Sequence, residues 1–149
     1  MVRALLVVAF VLMSACSNPG SSASSPARVT GTPLAPASGL LDAQVVLPPN
    51  FPADVPIYPG ARLTAGASFA STGQVSWGME WESPVKYTTV VAFYTKQFDQ
   101  GDWTISITGS GATFSAKVTR KSDSRFTGTL VIDPSSGIDK ILLSLVTAA

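Results

Sequence analysis

The sequence predicts an α+β domain: an antiparallel β-sheet with one packed helix, in the order β-β-α-β-β-β-β. Three features carry this. Several stretches alternate apolar and polar residues with period two, as half-buried strands do. One stretch, residues 84–100, changes to helical spacing between a Ser-Pro start and a Gly stop. Clusters of Gly, Ser, Thr, Asp and Pro punctuate the stretches at turn-length intervals.

The chain opens with Arg3, then the short apolar run from Ala4 to Leu12, then the small residues Ser14 and Ala15 ahead of Cys16. That order is a secretory signal. The apolar run is about ten residues, half of the roughly 20 that a spanning helix needs, so cleavage is expected rather than retention. Met13-Ser14-Ala15-Cys16 resembles the lipobox of bacterial lipoproteins, with Met13 where that family prefers Leu. The resemblance implies cleavage between Ala15 and Cys16, a diacylglyceryl thioether on Cys16 and an acyl chain on its new amino group. The domain is then held at the extracytoplasmic face of a bacterial cell membrane. A single acyl chain, at about 0.8 kcal/mol per buried CH₂, binds membranes marginally, and two or more hold stably.

Residues 16–46 are expected to form the lipidated cysteine and a tether. The segment is Ser, Ala, Pro, Gly and Thr with almost no charge, and buries too little surface to offset its ordering entropy. At about 30 residues its root-mean-square span is roughly 30 Å.

The domain proper is expected over 47–149. It begins with a proline-dense strap from Leu47 to Ala61, in which the prolines favour extended backbone and forbid helix. Tyr58-Pro59-Gly60-Ala61 suits a type II turn. Phe51, Ile57, Tyr58, Pro59 and Gly60 are the candidate binding surface on this strap. The competing assignment is a structural clamp, and burial is the usual use of such side chains.

Arg62 to Ser71 and Gln74 to Glu82 read as a strand pair turning near Thr72-Gly73. In the second strand Val75, Trp77, Met79 and Trp81 share one face, and Glu80 and Glu82 the other. The two glutamates therefore lie side by side, whereas a glycosidase pair faces across a cleft. Ser83 as N-cap and Pro84 at the first helical position start the helix, which runs to Gln100 with Tyr87, Val90, Val91, Tyr94 and Phe98 inward. Four strands follow, led by Trp103-Ile105-Ile107, Phe114-Ala116-Val118, Phe126-Leu130-Ile132 and Ile141-Leu143-Leu145. Each has one dry and one wet face, the pattern of a sheet covered on one side.

Asp54-Val55-Pro56-Ile57-Tyr58-Pro59-Gly60-Ala61, with Phe93-Tyr94 in the helix and Gly101-Asp102-Trp103 after it, resembles a group of small exported bacterial domains, commonly lipoproteins, with a "VPxYPGA … FY … GW" pattern. The resemblance spans roughly residues 48–149 and implies fold and location; no activity comes with it.

Composition removes several function classes. The single cysteine is Cys16 and there is no histidine, so disulfides within the domain, Cys/His zinc sites and His-based catalytic triads are excluded. Formal net charge is +1, and loss of Arg3 with the signal leaves a neutral chain, a poor match to nucleic acid. Lys117, Arg120, Lys121 and Arg125 gather near one hairpin end and read as solvated rim. Gly109-Ser110-Gly111 lacks the lysine and helix of a phosphate loop, and the Asp133-Pro134-Ser135-Ser136-Gly137 stretch is a turn rather than a calcium loop. The sequence thus predicts a non-catalytic binding or assembly module in the envelope. It has no cofactor or metal and takes the membrane, and an envelope protein, as partners. The alternative is an exported binder of lipid, glycan or hydrophobic peptide using a cleft between helix and sheet.

Overall fold

A computed structural model describes residues 37–134 and 137–147; the expectations for Ala15, Cys16 and the tether through residue 36 lie outside the described residues. The elements are β1 (Arg62–Ser71), β2 (Gln74–Ser83), α1 (Tyr87–Phe98), β3 (Trp103–Ser110), β4 (Phe114–Arg120), β5 (Thr127–Asp133) and β6 (Asp139–Thr147). They build one six-stranded antiparallel sheet in the order β1-β2-β6-β5-β4-β3. The expected α+β order is the observed one.

Alternation decides the two faces. On the covered face Trp77, Met79 and Trp81 of β2 stand beside Leu145, Leu143 and Ile141 of β6, then Leu130 and Ile132 of β5, and Phe114, Ala116 and Val118 of β4. All are buried. From α1, Val90, Tyr94 and Phe98 pack onto this face toward β3 and β5. All three tryptophans lie inside, with Trp77 5%, Trp81 2% and Trp103 2% exposed, so none offers an indole for stacking on a sugar.

The helix begins three residues later than its sequence signals suggest. Ser83 belongs to β2 and is buried, its Oγ accepting the Val85 N–H at 3.3 Å, and Lys86 occupies the cap position without a side-chain cap. Strand pairing of Ser83 with Asp139 on β6 outcompetes its capping preference.

The strap packs on Trp81 of β2 and reaches Trp103 of β3 and Arg120 of β4. It is a run of turns rather than the extended segment its prolines suggest. Phe51, Val55 and Ala61 each donate an N–H to the carbonyl three residues back, on Pro48, Pro52 and Tyr58. In the last turn Gly60 sits at φ 83°, the left-handed position a type II turn needs and a side chain resists. Phe51 packs edge-on to Trp81, and Val55 is buried.

Residues 38–46, read from composition as tether, are part of the folded unit. Val45 donates its N–H to the Leu63 carbonyl on the edge of β1, and Arg62 reaches the Asp42 carbonyl and Ser38 Oγ, both at 3.0 Å. Backbone pairing and one arginine hold a segment that hydrophobicity alone does not mark.

A bulge at Thr64 sets the rest of β1. Leu63 pairs with Trp81 but Ala65 with Glu80, so one extra residue shifts the phase. Downstream of it Ala65, Ala67 and Phe69 point away from the core, and Phe69 is 59% exposed.

Candidate functional site

Two features compete for the role of a working surface: the strap, and the sheet face that no element among the described residues covers. Asp54 anchors the strap. Its Oδ2 accepts the Trp103 indole N–H at 3.0 Å, and its carboxylate takes Arg120 Nη2 at 2.5 and 2.7 Å. The Arg120 guanidinium lies over the Trp103 ring at 4.9 Å and over the Phe126 ring at 4.4 Å, so cation–π attraction on two rings orients it for the carboxylate. A second tie joins the Tyr58 N–H to the Tyr94 hydroxyl at 3.2 Å, and Tyr58 also packs edge-on to Phe93. Burial pushes the Tyr94 hydroxyl up to about 12, so it is neutral across the physiological range.

These ties separate the residues proposed as a binding strap. Phe51 faces the core, Tyr58 is half-buried against the helix, and Ile57, Pro59 and Gly60 lie at the surface around the turn. A hollow of about 330 Å³ lies where the Asp54 turn meets the end of α1, lined by Asp54, Gln97, Gln100 and Asp102 among others. Asp102 is occupied, accepting the Ser122 N–H at 2.9 Å and the Ser122 hydroxyl. The basic residues read as one rim disperse: Arg120 enters the clasp, Arg125 pairs with Asp123 at 3.0 Å and Lys121 donates to the Gly101 carbonyl. Lys117 alone stands on the uncovered face.

The uncovered face is ordered by cross-strand register. One row runs Lys117, Thr129, Ser144, Gly78, Ala67 from β4 to β1; the next runs Ser115, Val131, Leu142, Glu80, Ala65. Apart from Lys117 and Glu80, the side chains of these rows are short and uncharged. Gly78, Ala65, Leu142 and Ser144 help line a shallow hollow of about 350 Å³, continued by one of about 240 Å³ toward Lys117. The row beyond is charged, and there the N-terminal segment closes over it. Glu82, expected on a wet face, is 1% exposed because Asp42 lies on it, its N–H donating to Oε2 at 2.8 Å. Lys140 bridges Glu80 at 2.8 Å and Glu82 at 3.5 Å, and the bond it donates to Glu80 holds the Lys140 ammonium above its ordinary pKa. The two glutamates thus serve one lysine.

The cleft between helix and sheet that a small ligand would need is occupied by Val90, Tyr94 and Phe98. Among the described residues no group of three or more His, Cys, Asp or Glu is placed to hold a metal ion, and no helix is long and apolar enough to cross a membrane. The clasp and the open face escaped the sequence reading for different reasons. Asp54 and Trp103 are 49 residues apart, so their meeting depends on how the strap crosses the sheet; the flatness of the open face depends on register. Comparison with protein-family models, with curated proteins and with solved structures finds no match to this chain.

Proposed function

We propose that this chain is a lipid-anchored protein of the bacterial envelope that works as a non-catalytic assembly module through the open face of its sheet. One observation carries the reading. The first described residues lie at the charged end of the open face, Asp42 on Glu82 and Ser38 on Arg62. The other face of the sheet is sealed by helix and strap. The Met13-Ser14-Ala15-Cys16 sequence supports the membrane end of the reading. An open sheet face of short side chains, with an apolar hollow in its middle, supports the assembly end, because such a face admits close approach of another surface.

The anchor is tested by Cys16→Ala. The variant is expected to leave the membrane fraction and to lose incorporation of a labelled fatty acid; a variant that stays membrane-bound and labelled overturns the reading.

A further inference from the structure

We propose that the occupant of the open face is a second copy of this chain, the two sheets packing face to face about a two-fold axis that runs parallel to the strands between β5 and β6. The proposal rests on the assembly reading above for its surface, and its contacts are independent of the anchor.

The register fits this operator. Such an axis lays β6 of one copy on β5 of the other and β2 on β4, keeping each residue in its row. Leu142 then faces Val131, Ser144 faces Thr129, and Gly78 faces Lys117. Lys117 is exposed and has no ion pair among the described residues. Opposite it stands the one residue of the row without a side chain, and nothing lies within 4 Å of a Cβ built on Gly78. Glu80, one row away on the same strand, is bonded to Lys140 of its own chain at 2.8 Å and is shared with Lys117 as counter-charge. The pair occurs twice, once on each flank of the Leu142–Val131 centre, as an isologous interface requires. A two-fold at right angles to the strands through that row instead sets Lys117 against Lys117, a like-charge contact that disfavours it.

Two further features agree. Aligned sheets pack about 10 Å apart, a gap that short Ser, Thr, Val and Leu side chains fill and that long charged ones would hold open. The operator also brings residue 38 of both copies to the same end of the sandwich. There each N-terminal segment lies opposite the partner's β3–β4 turn at Gly111-Ala112-Thr113, whose small residues leave it room.

The test uses the full chain in its own membranes. Thr129→Cys, or Ser144→Cys if the first fails to accumulate, places a thiol near the axis, and a short bismaleimide should join two copies into a product of twice the chain mass. Parent chain, whose single cysteine is Cys16, and Ala92→Cys on the exposed side of α1 are the controls. Lys117→Glu is expected to cut the yield at least tenfold, and Glu80→Lys in the same chain to restore it. A yield no higher than that of Ala92→Cys, a product of some other mass, or indifference to Lys117→Glu overturns the proposal. Fatty-acid labelling of Cys16 is read in the same samples. Loss of the label with the dimer intact sinks the anchor alone, and loss of the dimer with the label intact sinks the pairing alone.

Discussion

Trp103 donates its indole N–H to Asp54 across 49 residues of sequence, at 3.0 Å, and this bond ties the strap to the far edge of the sheet from the one where it enters. The strap starts beside β1, passes Trp81 on β2, and is caught at β3 and β4 by Trp103 and Arg120. It therefore acts as a lid on the core, and its removal exposes Trp81.

Asp54→Ala should lower stability by about 1–2 kcal/mol, the upper range for a charged hydrogen-bonded pair discounted because the Asp54 side chain is 45% exposed. A double-mutant cycle with Arg120→Met in urea unfolding should give a coupling of about 1 kcal/mol. Arg120→Lys should not substitute, because a lysine lacks the planar group that lies on both rings. A coupling indistinguishable from zero would reduce the clasp to a surface contact.

Gly128 lies on the covered face of β5, where an added Cβ would fall 2.5 Å from Leu145 Cδ2 and against the Ser144 carbonyl oxygen. Backbone cannot yield there, so Gly128→Ala should cost about 3 kcal/mol. Gly111→Ala, in an open turn with nothing near the new methyl, should stay within about 0.5 kcal/mol. Chemical denaturation of the two variants separates packing from any general intolerance of glycine replacement.

Tyr94→Phe removes the acceptor of the Tyr58 N–H and should cost about 1 kcal/mol at pH 7. The pH dependence has a definite sign. The hydroxyl titrates near 12 in the folded chain against an ordinary value of 10, so the folded state favours the neutral form. That contribution is complete below pH 10 and is lost as pH rises toward 12. The advantage of Tyr over Phe should shrink over that interval in thermal melts.

Asp139 is 4% exposed, its Oδ2 has no hydrogen-bond partner among the described residues, and burial raises its carboxyl above the ordinary 3.8. A raised acid favours the folded state while it is protonated, and that contribution disappears as pH climbs from the ordinary value through the folded one. Asp139→Asn should therefore stabilise the domain at pH 7 and give no gain at pH 3. Equal effects at both pH values would show that the charge is not what matters.

Much of the fold was legible. Period-two alternation placed the tryptophans of β2 inward, the Tyr58-Pro59-Gly60-Ala61 turn followed from Gly60 taking a positive φ, and Val90, Tyr94 and Phe98 faced the sheet as their spacing required. Less of the candidate surface was legible. Ser83-Pro84 carried a capping signal, yet Ser83 completes a strand, because a local preference of about 1 kcal/mol yields to cross-strand pairing. Glu82 was assigned to water by its phase, and the chain ahead of the domain buried it.

What the sequence alone determined is the inventory: which residues alternate, where the chain must turn, and that one cysteine and no histidine are present to do chemistry. Those properties are local or compositional, set by backbone sterics and side-chain type. Only the tertiary structure decided which partner each strand takes, that one extra residue at Thr64 turns Phe69 outward, and that Asp54, Trp103 and Arg120 meet. The reason is physical. Register, bulges and long-range ion pairs are set by the packing of the whole sheet against helix and strap, and many local sequences would allow other outcomes.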